Sequence, residues 1–311
     1  MEYVKFKKPI HIKDILKEIN IITEIYSYFI NKNNMIYGVS NDLLDVDFTL
    51  SFVENIKNRE QISKLSNALI ITNSVDVEEF SDFNLVQVDD ARYVFMKLIE
   101  KFKNDKKFEC FTSDIEEVDW FISDKANIHP SAILEDNIII KDNVVVSAGC
   151  TIKTGTFIDE GSIVRENTTI GCDGISLYKG KNEEVLRFPH IAGVYIGKNV
   201  EIGANCVIVR GTLTNTSISD HTVIGNLSNI GHGVKIGQKV WISVGAMIGG
   251  NCRIEDEVTI GLGVSIKNNL KIAKFSTVGM GSVVTKALTE TKTVFGNPAK
   301  PVRPLNVGPK R

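Results

Sequence analysis

Five histidines occur in this 311-residue chain, and one stands in a pattern that could do chemistry. His232 lies in Asn229-Ile-Gly-His-Gly-Val, two residues after the aliphatic Ile230. Eighteen residues on, the equivalent position is Gly250, and eighteen further it is Asn268, followed by Asn269. Acyl transfer to an amine needs a base for the proton of the nucleophile and a donor for the developing oxyanion. An imidazole titrates near neutrality and suits the first task. The N–H of Gly250, with no side chain in front of it, suits the second. The same spacing fits a histidine that is merely solvated at a corner, and the residues alone leave both readings open. His190, in Arg187-Phe-Pro-His, falls in a loop-like stretch from which it could contact a ligand. His11, His129 and His221 read as structural or solvent-facing.

The eighteen-residue step comes from a hexad repeat. Aliphatic residues recur at every sixth position from Ile128 to Ile170, at Ile196, Ile202 and Ile208, and from Ile218 to Val284. Small or β-branched residues such as Cys150, Thr156, Ser162, Thr222, Ser228 and Cys252 precede them by two. A helix of about 3.6 residues per turn cannot hold that period on one face. Three hexads make one coil of a triangular prism, and stacking the coils buries the core. Glycines directly after the aliphatic residue, among them Gly225, Gly231 and Gly249, are expected at corners that would strain other residues. The series breaks over 171–192, read as a loop thrown out of the prism, and slips by four residues between Ile208 and Ile218.

The N-terminal part is different. Spacing predicts short helices around Asp14-Ile-Leu-Lys-Glu-Ile, over 55–65 and over 89–102, and a buried strand at Ala68-Leu-Ile-Ile-Thr. The expected organisation is therefore mainly β: a small α/β domain over 1–115, a parallel β-helix over 116–288, and a tail over 289–311 that contains Gly296-Asn-Pro-Ala-Lys-Pro-Val-Arg.

The net charge of −2 gives no field directed at nucleic acid. No apolar run approaches the roughly 18 residues of a membrane span, and Met1-Glu-Tyr-Val-Lys-Phe-Lys-Lys lacks a signal-peptide core. A cytoplasmic protein without integral membrane contact is expected. The five cysteines show no CxxC spacing, so neither a metal site nor a redox pair is indicated. Cys150, Cys206 and Cys252 occupy the small inward slot, where a thiol acts as a small hydrophobe.

An ordered series of motifs carries a family resemblance. Tyr37-Gly-Val-Ser, Leu50-Ser-Phe-Val-Glu-Asn, Ile128-His-Pro-Ser-Ala, Gly171-Cys-Asp-Gly, Phe188-Pro-His-Ile-Ala-Gly, Val200-Glu-Ile-Gly-Ala-Asn, Arg210-Gly-Thr and the segment around His232 resemble the UDP-3-O-acylglucosamine N-acyltransferases, hexapeptide-repeat enzymes. The resemblance implies a left-handed parallel β-helix, a homotrimer with sites in clefts between prisms, and no permanent cofactor. It places the general base on His232 and the oxyanion N–H on Gly250, and matches Phe52 and Asn55 to residues that hold the nucleotide base.

The chain departs from that family at informative places. The carboxylate expected seven residues before the histidine is Gly225, and the one before Arg210-Gly211 is Val209. A second histidine is replaced by Asn269, a uracil-stacking aromatic by Asn58, and the helical extension that receives acyl carrier protein has no counterpart. The ending resembles that of coenzyme A-dependent sugar acetyltransferases. The reading is an N-acyltransferase that moves an acyl group from acyl-CoA to the amine of a nucleotide-linked amino sugar for a surface glycan. Phe188, His190, Asn226 and Asn229 would position the sugar, and Asn268 and Asn269 the donor. Two alternatives stand beside it: the lipid A reaction with an acyl carrier protein (acyl-ACP) donor, and a non-catalytic binder of nucleotide sugars.

Overall fold

The computed structural model describes residues 3–31, 34–40, 48–56, 59–63, 65, 67–74, 80–112 and 120–302. It divides into two compact units: 1–118 with 175–192 and 212–214, and 119–174 with 193–211 and 215–311. The expected boundary at 115–116 and the position of Asn58 lie outside the described residues, as does the tail from Arg303 on.

The first unit is a mixed seven-stranded sheet with two helices. Its strands are β1 (Val4–His11), β2 (Ser27–Ile30), β3 (Met35–Val39), β4 (Thr49–Asn55), β5 (Leu69–Ser74), β6 (Asn84–Gln87) and β7 (Phe108–Thr112), and its helices are α1 (Ile12–Ile22) and α2 (Ala91–Asn104). They are ordered β2-β6-β5-β4-β3-β1-β7, with β3 to β6 parallel to one another in sequence. Because side chains alternate along a strand, Leu69 and Ile71 enter one core with Ile15, Ile19, Phe95 and Phe102, while Ile70 enters another with Val53, Ile62 and Phe83. Helix α2 is capped by Asp90, whose carboxylate accepts from Tyr93 N at 3.0 Å, and it ends on Lys101 and Lys103, which complement its dipole.

Sequence reasoning expected a helix over 55–65. The structure places Asn55 at the end of a strand, and among the described residues of that stretch the helical turn is a 3-10 turn at Arg59–Ile62. The preceding residues 49–53 are mostly buried between parallel neighbours, and tertiary pairing overrides the local pattern. The loop expected as an excursion of the prism is, from Ile175 to Ala192, part of this first unit. It forms a hairpin of Leu177–Lys179 with Val185–Arg187, and Leu186, Phe188 and Ile191 join the core around Phe95.

The second unit is the stacked-coil prism. Three sheets of 8, 8 and 10 strands run along it. Their pairing is parallel except for the closing Thr293–Phe295 and Lys300–Pro301 pair. Ile230 lies opposite Ile248, Ile248 opposite Ile266, and Ile266 opposite Val284, one coil of eighteen residues at each step. Across the four-residue slip Ile208 still meets Ile230. These inward aliphatics are nearly fully buried. The small slot is more than filler: Ser162 and Thr222 donate to Gly197 O (2.7 Å) and Gly237 O (2.8 Å), tying coil to coil. Cys252 Sγ makes the equivalent contact with Lys267 O at 3.1 Å, and burial pushes its thiol pKa up.

The glycines after the aliphatic positions have a different cause from the one expected. Left-handed backbone falls two residues later, for example at Gly233 (φ 66°), Asn251 (φ 57°) and Asn269 (φ 61°). Gly231 and Gly249 are required by close approach instead. A Cβ on them would stand 2.7 Å from Gly250 N and 2.5 Å from Asn268 N of the next coil. Among the described residues no helix is long and apolar enough to cross a membrane.

Candidate functional site

The corner that follows each strand of one face carries His232, Gly250 and Asn268 on successive coils, because Asn229–Ile230, Met247–Ile248 and Ser265–Ile266 pair in register. The half-buried imidazole of His232 lies flat over Gly250. A Cβ there would meet Nε2 at 2.5 Å, Cε1 at 2.7 Å and Cδ2 at 2.8 Å. Glycine is thus what allows the ring to sit on the next coil.

The amide of Gly250 belongs to the corners whose N–H no side chain caps, as do those of Val244, Leu262 and Met280. At other corners a side chain of the following coil takes the N–H: Asp220 Oδ1 accepts from Lys198 N (2.8 Å), Asn226 Oδ1 from Ala204 N (2.9 Å) and Asp256 Oδ1 from Gln238 N (3.0 Å). Among the described residues the Gly250 N–H donates no hydrogen bond. A donor left open beside an imidazole is what a developing oxyanion requires.

Burial lowers the pKa of His232, and a hydrogen bond from the ring to the Asn251 side chain partly offsets this. Desolvation disfavours the charged form, so the neutral, proton-accepting imidazole is favoured. Asn251 also donates its main-chain N–H to His232 O at 2.7 Å, and its Oδ1 lies directly over Gly233. Sequence reasoning did not single out Asn251. Its asparagine at a left-handed position is one of several along the prism and reads as purely conformational. A carboxylate has no room at Gly225, where a Cβ would be 2.7 Å from Val244 N.

The remaining expected residues fall into two groups. In the second unit, Asn226 is occupied by Ala204 N at a neighbouring corner. Asn229 lines a groove of about 370 Å³ with Met247, Gly249, Ser265 and Lys267. Asn268 and Asn269 are exposed one coil beyond Gly250, and Asn269 N donates to Gly250 O at 2.9 Å. In the first unit, half-buried Phe52 packs on Phe95 with ring centroids 4.9 Å apart. Buried Phe188 stands 6.3 Å from the same ring, and Asn55 is exposed at the end of β4. His190 is buried, and its carbonyl accepts from Lys103 Nζ at 3.1 Å. Beside them Asp90 also accepts from Tyr178 OH (2.9 Å) and Lys181 N (3.1 Å). Burial and this carboxylate push Tyr178 up to about 12. Among the described residues no three His, Cys, Asp or Glu side chains converge as metal ligands.

Over 69 residues the chain is 49% identical to UDP-3-O-acylglucosamine N-acyltransferase 2 of Legionella pneumophila, covering 22% of this chain and 20% of that protein. Over 71 residues it is 52% identical to UDP-3-O-acylglucosamine N-acyltransferase of Rickettsia rickettsii, covering the same shares. Over these stretches the chain is similar to the UDP-3-O-acylglucosamine N-acyltransferases. The match spans about a fifth of the length of those curated relatives. No protein-family model matches the chain. Among solved structures, UDP-N-acetylglucosamine acyltransferase of Francisella novicida is similar at 23% identity and TM-score 0.42, over 58% of this chain and 70% of that one. The Campylobacter jejuni enzyme is similar at 22% identity and TM-score 0.43, over 57% and 74%.

Proposed function

We propose that this protein is an N-acyltransferase that transfers an acyl group from a thioester donor, acyl-CoA, to the amine of a nucleotide-linked amino sugar. The observation that carries the reading is the His232 imidazole lying on Gly250, beside an amide that no side chain caps. In the reaction the amine nitrogen attacks the thioester carbonyl, and His232 takes the proton that the nitrogen loses. The Gly250 N–H holds the tetrahedral oxyanion, the C–S bond breaks, and the thiolate leaves with the proton returned from His232. Asn251 orients the ring. The groove beside Asn229 and Met247 receives the acyl chain, Asn229 and Asn226 face the sugar, and Asn268 and Asn269 flank the donor. Phe52 and Asn55 hold the base of the nucleotide, whereas Phe188 and His190, expected to position the sugar, are buried in the first unit and are left out of the scheme.

The assembly in this reading is a homotrimer. Val244, Leu262 and Met280 recur one per coil on a single edge and are 39%, 51% and 68% exposed in the single chain, with Leu227 beside them at 58%. A stripe of this kind is the sort of surface that a second copy covers. No resident metal or redox group enters the scheme.

The test crosses UDP- and dTDP-linked amino sugars with acyl-CoA donors and follows the N-acylated product by mass spectrometry. Product is expected with the native chain and lost with His232→Ala; unchanged acylation by the variant would remove His232 from the mechanism. The names of the relatives favour a second reading, the UDP-3-O-acylglucosamine reaction with acyl-ACP as donor. Turnover with acyl-ACP and none with acyl-CoA selects it. Tight binding of a nucleotide sugar without turnover of any donor selects a binder.

A further inference from the structure

Strand β1 does not run straight along its neighbour. Lys5 lies opposite Gly38 and Ile10 opposite Ile36, so five steps along β1 match two along β3. A bulge of this kind re-aims side chains, and Pro9 within it has no N–H to give to a ladder. Lys7 N donates to Lys107 O at 2.8 Å, which sets the bulge against the turn after α2, where Lys106 is left-handed at φ 53°. Phe6 stacks on Phe108 with ring centroids 5.1 Å apart and meets Phe102 edge-on at 5.5 Å, fixing both segments. The result, wholly within the first unit, is a groove of about 460 Å³. That is the size of a small-molecule site.

Lys7, Lys8, Lys106 and Lys107 line it. Among the described residues none of the four is ion-paired, and Lys107 Nζ lies 5.0 Å over the Phe102 ring. One carboxylate, Asp14, shares the lining, and Lys17, from outside it, holds that group at 2.8 Å. Four ammonium groups around one hollow repel one another, and a bound polyanion relieves the repulsion. The rest of the lining is of another kind. Pro9, Ile10 and Met35 make an apolar floor, with Met35 38% exposed. His11 lies beside them; its Nδ1 accepts from Lys13 N at 3.1 Å, so Nε2–H is the donor of the neutral ring. Point charges around an apolar floor suit a ligand with several phosphates and a planar base. An anionic bilayer would be met by lysines on a convex face, without a hollow between them. We infer that this groove binds a nucleoside polyphosphate, its base on the floor of Pro9, Ile10 and Met35 and its phosphates among the four lysines. Free nucleotides and coenzyme A share that chemistry. Neither Phe52 nor Asn55 lines the groove, and the inference does not rest on the acyl-transfer reading.

The test is calorimetric titration of the full chain with ATP, coenzyme A, tripolyphosphate, adenosine and pantetheine. ATP and coenzyme A are expected to bind, tripolyphosphate more weakly than ATP, and adenosine and pantetheine not at all. Added salt should weaken each complex by screening. The tighter of ATP and coenzyme A tells a free nucleotide from the acyl carrier. Lys8 and Lys106 are exposed and unpaired, so Lys8→Gln with Lys106→Gln should keep the native melting temperature. The pair should weaken ATP about tenfold or more, the worth of one charge-assisted hydrogen bond. Lys239→Gln with Lys286→Gln, the same charge change at exposed residues of the prism, should leave ATP binding unchanged. Met35→Thr should bring ATP toward the affinity of tripolyphosphate and spare tripolyphosphate itself. His232→Ala should bind ATP as the native chain does, so the site and the catalytic reading fail separately. Absence of binding by both ATP and coenzyme A, native affinity in the Lys8 and Lys106 pair, or equal weakening by the prism pair would overturn the site. Sedimentation with phosphatidylglycerol vesicles that needs Lys8 and Lys106, in a chain that binds no nucleotide, would overturn it in favour of a bilayer.

Discussion

The His232 imidazole rests on the Cα of Gly250, one coil further along the prism, so closely that a Cβ at Gly250 would stand 2.5 Å from Nε2. Gly250→Ala is therefore a test of geometry rather than of chemistry. It keeps the main-chain N–H and all titratable groups, yet the ring must move off the corner. We expect kcat to fall about 10²–10³-fold, comparable to the loss of an oxyanion donor, with circular dichroism and melting temperature close to native. Full activity in Gly250→Ala would mean that the ring position is immaterial.

Asn251 supplies a second handle. Burial holds His232 below the ordinary imidazole value of 6.5, and the hydrogen bond to Asn251 raises it in part. A base works when neutral, so the acidic limb of kcat/KM is expected below that ordinary value. Asn251→Gly suits the left-handed backbone at φ 57° but deletes the amide, and should move the limb to lower pH. Asn251→Asp adds a charge that favours the imidazolium and should move it to higher pH. A residue that serves only the backbone would move neither limb. Direct titration of the five histidines by carbon-detected NMR, with His232→Ala to assign the signal, reads the same shifts without substrate.

Stability follows the same sign. A histidine whose folded pKa is depressed takes up its proton more readily when unfolded. Its contribution is fully present above the unfolded value and is lost as pH falls toward the folded one. His232→Ala should flatten that part of the stability–pH curve, measured by chemical denaturation between neutral pH and about pH 5.

The prism was legible in the sequence because its period is set by covalent spacing: each inward aliphatic reports its own coil, as Ile230, Ile248 and Ile266 do. His232 and Gly250 were legible for the same reason. The first unit was legible in part: the helices around Asp14 and over 89–102 and the strand at Ala68-Leu-Ile-Ile-Thr stand close to where spacing put them, whereas strands such as Thr49–Asn55 owe their state to pairing with other strands rather than to local pattern. The role of Phe188 in that unit's core was hidden likewise, because it depends on where the hairpin packs. Asn251 was hidden by chemistry of a different kind. Its side chain serves a ring on the previous coil, while its residue type is already explained by φ.

The corner glycines give a stability prediction independent of any activity. Gly249→Ala would place a Cβ 2.5 Å from Asn268 N, a main-chain atom held in the coil stack. The next coil must then lift away. A loss of about 1–3 kcal/mol is expected, the usual cost of overpacking, seen as a lower denaturant midpoint. Gly263→Ala, where the added Cβ meets nothing within 4 Å but φ is 64°, isolates the backbone term. If Gly249→Ala cost no more than Gly263→Ala, close approach between coils would not be what fixes glycine there.

The exposed edge of Val244, Leu262 and Met280 separates assembly from fold. These side chains point away from the prism core, so Leu262→Asp with Met280→Asp should leave the monomer's melting behaviour nearly unchanged. In a trimer closed over that edge, the same pair buries charge without partners and costs several kcal/mol per protomer. Light scattering should then report a shift from trimer to monomer. Activity should fall with it if a neighbouring prism completes the cleft at His232. A double variant that stays trimeric would assign the contact to another edge, and a native chain that is monomeric at micromolar concentration would remove the trimer from the proposal.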